Sequence, residues 1–359
     1  MIAVRILYIL LAILFFGIMV AIHEFGHFST AKLLGVKVNE FAIGMGPTIW
    51  TKMKGETQYS LRAFPVGGFC AMEGEDEETG DPRAFAVQAW WKKFIILAAG
   101  SGMNFLLGLL IILFLYSGVS SVRTPVITEL MDGFPLEGES GLIEGDRILS
   151  IDGHAILMFS DVHTFLARND GNGMDLVVER NGEKVILKDL PLVPREYEYN
   201  GEKAVMFGFV FGEVEELGIA GRIKLSAAQT VDFVRMVWFS LCDLISGQVG
   251  VGEMSGVIGI VDAVGDVGAA SESVMDGLLN VLYLVAFISV NLAVMNMLPI
   301  PALDGGRIFF LVINGVAYLL FRKNIPAKYE GYVHTAGFML LILLMILVAL
   351  NDVWKIIFA

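Results

Sequence analysis

The chain is poor in what most secreted scaffolds and nucleic-acid binders carry. It has only two cysteines, Cys70 and Cys242, in 359 residues, which excludes a disulfide framework. Basic residues are outnumbered, 25 against 38 acidic, for a net charge of −13 and a pI near 4.9. Nucleic acid is thereby excluded as a partner, because phosphate binding needs basic patches. Charge is missing altogether from residues 6–22 (ILYILLAILFFGIMVAI). That run is too long for the apolar region of a signal peptide, and no small-residue cleavage site follows it. Across the chain, 55% of residues are hydrophobic and the mean hydropathy is +0.68, so disorder is excluded and a membrane protein is expected. With 18% of residues charged, part of the chain must still meet water.

The uncharged run leads into His23-Glu24-Phe25-Gly26-His27. On a helix, His23 and His27 lie at i and i+4 and project from one face. That spacing suits two ligands of a tetrahedral zinc site, with Glu24 as general base. The bland alternative is a chance match on an interfacial helix. The membrane-length setting opposes it, because ionisable groups there are costly to bury without a role. Catalytic zinc usually takes three protein ligands. Asp304, in Leu303-Asp304-Gly305-Gly306 after the helix-breaking Pro299 and Pro301, is the best third ligand. As an alternative it caps the helix that follows. Asn296 is a candidate donor to a substrate carbonyl or oxyanion, or else it bonds a carbonyl freed by the proline break. Asn104 is a polar side chain at membrane depth, either an interhelical bond or a contact to the active-site helix or substrate. His154 and His163 are expected on the surface and His334 near an interface, none of them as ligands.

Four spans are expected. Residues 1–34 form the first helix, with HExxH. Residues 35–92 form a loop with short strands at Gln58–Arg62 and Val66–Met72 and an acidic stretch at Glu73–Asp81. Residues 93–119 form the second helix, where Ala98 to Gly102 are small enough for close helix contact. Residues 120–195 alternate strands and turns, including the tight turns Asp152-Gly153 and Asn181-Gly182, and read as a soluble domain. Residues 196–275 read as an interfacial segment with an amphipathic helix at Ser226–Ser246 and a membrane-associated, non-spanning stretch at Gly247–Gly268. Residues 276–330 hold the third helix, the Leu-Asp-Gly motif and a short helix; 331–359 hold the fourth. Lys32, Lys37, Lys52, Lys54, Arg62, Arg83, Lys92 and Lys93 place the 35–92 loop in the cytoplasm and the soluble domain outside. The two cysteines then lie on opposite sides of the bilayer.

With these motifs the chain resembles the site-2 protease family of intramembrane zinc metalloproteases, in its bacterial branch with a PDZ domain. The resemblance rests on His23–His27, on Gly100-Ser101-Gly102-Met103-Asn104 in the second span, and on Leu303-Asp304-Gly305. Ile43-Gly44-Met45-Gly46-Pro47 matches the family's glycine loop, and Tyr59–Met72 its membrane-dipping β-hairpin. The implied fold is a polytopic α-helical membrane protein with that hairpin and one extracytoplasmic PDZ domain. The implied site has Zn2+ on His23, His27 and Asp304, Glu24 as catalytic base, and Asn296, Asn104, Gly67 and Gly68 against the substrate. The implied substrates are single-span membrane proteins of the anti-sigma-factor or remnant-signal-peptide kind, cut after a first extracytoplasmic cleavage. The PDZ domain is then expected to bind a peptide or filter by size, in a cell membrane whose cytoplasmic side holds the active site. Two positions depart from the family pattern: Ser101, where Gly-Pro is common, and Val257, where relatives often have Pro. Rival readings are a non-enzymatic PDZ scaffold, which predicts a degraded metal set, a zinc transporter, which needs polar residues along several spans, and a membrane-anchored zincin with its site in a soluble domain, which the uncharged run opposes.

Overall fold

The computed structural model describes residues 2–75, 79–168, 173–199, 201–250, 256–322 and 327–358. Residues 76–78 of the acidic stretch, 251–255 of the glycine-rich stretch and Lys323 lie outside the described residues. The chain forms two compact units, Met1–Ile112 with Phe233–Ala359, and Leu113–Asp232. In chain order the first elements are α1 (Ile2–Leu33), β1 (Val38–Lys54), β2 (Thr57–Met72) and α2 (Trp90–Tyr116). After the second unit's strands come α4 (Ile219–Ser246), α5 (Val257–Ala270), α6 (Val274–Asn296), α7 (Asp304–Phe321) and α8 (Ala327–Phe358).

Among the described residues, five helical segments are long and apolar enough to cross a membrane by length and composition: Val4–Leu33, Trp90–Tyr116, Val274–Asn296, Asp304–Phe321 and Tyr329–Lys355. This is a multi-pass membrane protein. The helix after the Leu-Asp-Gly motif, expected to be short, is among the five because it starts at Asp304 itself.

α1 is the axis of the first unit. Its early half packs Tyr8, Ala12 and Met19 against Val264 of α5 and Val281 and Val285 of α6. Tyr8 fits under glycines, since a Cβ at Gly268 or Gly277 would strike its ring or hydroxyl. Arg5 pairs with Asp262 and Asp266 of α5 at 2.7 and 2.9 Å. The far end of α5 is held by Asp352 of α8, a buried carboxylate that accepts the Gly256 and Gly259 N–H groups at 3.0 and 2.9 Å. Free N–H groups of a helix start favour an anion there.

The later half of α1 packs against β1 and β2. The sequence reading sees two short strands at 58–62 and 66–72. The structure has one continuous strand, β2, and pairs it with a 17-residue strand, β1, that periodicity does not reveal. Both bend, so that Phe41 lies across from Tyr59 on one side and from Cys70 on the other. The bends fall at Gly44, Gly46 and Gly67, whose φ angles of +87°, +84° and +87° suit glycine. Those interruptions hide the strand alternation. Phe28 of α1, Phe41 and Tyr59 form an aromatic cluster with ring centres 5.0 to 6.3 Å apart. Ala31, Val38, Cys70, Met72, Ile96 and Leu97 complete this core.

In the second unit, β5 (Arg147–Ile151), β6 (His154–Ala155), β7 (Met174–Arg180) and β8 (Glu183–Leu190) form a four-stranded sheet in the order β6-β5-β7-β8, with α3 (Phe159–Ala167) between β6 and β7 in the chain. Asn181 and Gly182, at φ +53° and +84°, make the tight β7–β8 turn. The second unit runs on past residue 195, where the sequence reading ends its soluble domain. After the hairpin of β9 (Arg195–Tyr199) and β10 (Glu202–Met206), β11 (Phe209–Phe211) returns to pair with β4 (Ile127–Leu130). Likewise β12 (Val214–Glu216) pairs with β3 (Ser121–Arg123). Non-local pairings of short strands carry no local signal. Both cysteines are free thiols.

Asp146 is fully buried in this unit, and Arg180 meets it with two bonds of 2.8 Å. Removing one member of a buried pair strands the other's charge, at a cost of about 3–5 kcal/mol. Arg180→Ala is therefore expected to speed hydrogen exchange across residues 127–151 of the full-length protein by a matching amount. A change below about 1 kcal/mol would place the pair with ordinary surface bridges.

Candidate metal centre

His23 and His27 face the same side of α1, and both are buried. They come close to α2 because the crossing point is made of glycine. A Cβ on Gly26 would lie 2.7 Å from the Ala99 carbonyl carbon and 2.9 Å from Gly100 Cα. A Cβ on Gly100 would strike His27 Nε2 and lie 2.8 Å from His23 Cε1. The glycine inside the HExxH motif and the glycine of the second span are thus two halves of one contact.

His27 Nδ1 is 2.8 Å from the Ile96 carbonyl oxygen. A carbonyl only accepts, so the proton sits on Nδ1 and the Nε2 lone pair faces the site. This is the outer hydrogen bond typical of a metal-ligating histidine. Asp304 reaches the same point from α7. It is the first residue of that helix, Leu303 is the N-cap, and no side chain caps the end. The capping alternative therefore fails, and the carboxylate turns inward. Asp304 Oδ2 is 3.1 Å from His23 Nε2 and 3.2 Å from His27 Nε2. The two Nε2 atoms are 3.1 Å apart.

These three acceptors need positive charge between them. A shared proton satisfies one pair; a metal ion satisfies all three. Tetrahedral zinc with bonds of about 2.0–2.1 Å sets its ligand atoms about 3.3–3.4 Å apart, close to the spacing here. Among the described residues, no other group of three His, Cys, Asp or Glu side chains converges in this way. Donor type, spacing and the His27–Ile96 bond all fit zinc.

The other site residues fall into two groups. Glu24 adjoins the histidines on α1 and is half-buried. Gly68 of β2 packs on it, for a Cβ there would lie 3.3 Å from Glu24 Cγ. Asn104 is buried on α2 one turn beyond Gly100. Its backbone carbonyl accepts from Ser289 Oγ of α6 at 2.8 Å, while its side-chain oxygen has no partner among the described residues. Gly67 and Asn296 are not drawn in by any described contact. A Cβ at Gly67 would meet Met45 at 2.7 Å, and Asn296 ends α6 without a described bond to the triad. Cys70 lies near Glu24 in β2, and burial pushes its thiol up to about 12.

Two features hold Asp304 in place. Gly305 and Gly306 let the first turn of α7 press onto the backbone of Met297 to Ile300, where any Cβ would collide. Arg307, one turn beyond Asp304, pairs with Glu75, and Glu75 also accepts the Met72 N–H at 3.3 Å. The first is legible in the sequence, where two glycines after the aspartate permit close backbone approach. The second is a contact between distant segments.

A family model described as peptidase family M50 matches residues 11–344. The chain belongs to this family. Among its relatives is a protein named "Putative zinc metalloprotease" from Clostridium acetobutylicum, 36% identical over 346 residues that cover 96% of this chain and 97% of the relative. "Regulator of sigma-W protease RasP" from Bacillus subtilis is 29% identical over 426 residues, covering 96% and 97%. "Zinc metalloprotease RasP" from Oceanobacillus iheyensis is 30% identical, covering 96% and 98%. As an M50 member the chain is a metallopeptidase with a zinc cofactor.

The tight crossing makes a sharp prediction. Gly100→Val drives two methyl groups into the space of His27 and His23, and ligand geometry is lost. The purified variant is expected to hold less than about a tenth of the wild-type zinc, in line with the 10–100-fold cost of disturbing groups around a metal. Gly102→Ala, where the added carbon meets nothing within 4 Å, is the control and should keep its zinc.

Proposed function

We propose that the protein is an intramembrane zinc endopeptidase that cuts single-span membrane proteins in regulated intramembrane proteolysis. The observation that carries this reading is the convergence of His23, His27 and Asp304 from α1 and α7, both span-length apolar helices. In this reading these three residues hold the ion. Zinc bound there supplies Lewis-acid polarisation of the scissile carbonyl and acidifies water to a pKa of about 7.

The chain's own residues do the rest. Glu24 accepts the proton of the attacking water and returns it to the leaving nitrogen as the C–N bond breaks. A substrate helix must unwind first, because its backbone groups are bonded to one another. The outer edge of Phe69–Met72 offers new partners. Among the described residues it carries no further strand, and a cavity of about 420 Å³ runs along Phe69, Cys70, Ala71 and Met72. A substrate strand added there is held extended by backbone bonds, beside Glu24 because Gly68 has no side chain. Asn104, with its unused side-chain oxygen, and Asn296 are the polar groups assigned to steady the substrate. Gly67 sets the bend of the same strand.

The basic loop residues support a cytoplasmic site and an outward second unit. That unit, Ser121 to Glu216 with its four-stranded sheet and α3, is assigned as the PDZ domain that admits pre-cut substrates or binds a peptide. The sigma-W relative supports substrates that restrain a sigma factor; remnant signal peptides remain the other class.

The test uses the full-length protein in detergent with a tagged single-span substrate. Wild type should hold about one zinc and cut. Glu24→Gln should keep the zinc and lose at least about 100-fold in rate, the usual scale of general-base catalysis. Asp304→Ala should lose both zinc and cutting. Wild type without zinc would leave the scaffold reading, and zinc moved across vesicles without cleavage the transporter.

A further inference from the structure

His334 lies on α8, thirty residues beyond Asp304. The family motifs do not include it, and its spacing matches no ligand pattern. We propose that His334 is a positioning residue for the metal centre, setting Asp304 through the turn that precedes it. The proposal rests on the metalloprotease reading and adds to it a group that does not touch metal or substrate.

The turn is Pro301-Ala302-Leu303. Ala302 has φ +74°, a left-handed conformation. That conformation is unfavourable for a residue with a Cβ, so something must hold it. The Ala302 N–H donates to His334 Nδ1 at 2.9 Å. This bond spans two distant segments and ends two residues before Asp304. α8 approaches closely because Gly337 is one turn along from His334. A Cβ at Gly337 would strike Pro301 Cβ and lie 3.2 Å from its Cγ. On its other side the turn meets α7, where Gly306 leaves room for the Ile300 carbonyl. The His334 ring is fixed in its turn by Phe310 of α7, with ring centres 5.4 Å apart, and by Glu330, 3.8 Å from Nε2.

The chemistry asked of His334 is narrow. Nδ1 must accept, so the ring's proton belongs on Nε2. Without that acceptor the left-handed turn relaxes, and the carboxylate two residues on is no longer held against His23 and His27. Groups that orient metal ligands from outside contribute about 10–100-fold in metal affinity.

The experiment compares zinc retention against a competing chelator in full-length wild type, His334→Leu, His334→Asn and His334→Gln, with thermal unfolding followed in parallel. His334→Leu should retain zinc about 10–100-fold more weakly. His334→Asn, whose Oδ1 stands where Nδ1 stood, should return to within about threefold of wild type, while His334→Gln, whose acceptor is carried too far out, should not. Wild-type retention in His334→Leu would overturn the proposal. So would equal loss in Asn and Gln, which would make ring packing on Phe310 the operative feature. Should His334→Leu not fold, the Asn–Gln comparison decides alone. Wild type that retains no zinc would overturn the metalloprotease reading and this assignment together.

Discussion

Two imidazole nitrogens and a carboxylate oxygen meet within 3.2 Å inside a bundle of apolar helices. Electron pairs at that distance repel unless positive charge lies between them, and in a region of low dielectric the penalty is large. Much of the first unit can be understood as what it takes to hold this contact. α1 supplies two donors by helical spacing alone. The third must come from elsewhere in the chain, and its helix must start at one level of the bundle. Glycines at 26 and 100 bring α2 close enough for the Ile96 carbonyl to orient His27. Glycines at 305 and 306 let α7 sit down on its own approach turn. A side chain at any of these four positions forces backbone or an imidazole to move.

Legibility from sequence followed the range of each interaction. His23, Glu24 and His27 were readable because helical spacing is local and the uncharged setting made chance unattractive. The long helices were readable for the same reason, as were the turns at Asp152-Gly153 and Asn181-Gly182, where the residue types demand a left-handed backbone. The choice of Asp304 as ligand over cap needed a distance, since aspartate suits both roles. β1 was missed because its glycine bends break the two-residue alternation. β11 and β12 were missed because short strands that return across the chain leave no periodic trace. Gly100 was read as a small residue in a permissive run and as part of the second-span family element, with no partner assigned. Its partner turned out to be the glycine within the motif itself.

The polar groups of α2 and β2 show how a water-using reaction is kept compatible with apolar packing. Ser101 and Asn104 are buried, and their side-chain oxygens lack partners among the described residues. Unsatisfied buried polar atoms cost about 1–3 kcal/mol each. Such a cost close to His23 and His27 is offset where water meets the same atoms. The edge of Phe69–Met72 has the same character. It is an unfinished sheet, stable because β1 supports one side and Glu75 covers the Met72 N–H at its end. The Glu75–Arg307 pair then ties that end of the sheet to α7, the helix that carries Asp304. One acidic side chain, Glu75, is thus shared between the Met72 N–H at the sheet edge and Arg307 on the helix that starts at Asp304.

That link extends to the last helix. No described bond joins α8 to His23, His27 or Asp304, yet it contacts both ends of the assembly that α1 organises. Asp352 caps α5, which lies along the early half of α1. Gly337 and His334 bear on the turn before Asp304. A helix that only anchored the chain in lipid would need apolar residues and nothing more. The buried carboxylate, the glycine and the imidazole are each chosen against that simple requirement, and each meets a backbone N–H or a proline of another element. The final helix therefore acts as a brace: it fixes α5 at one level and Asp304 at another, so that the histidines of α1 keep their third partner while the strand edge beside them is free to take a substrate.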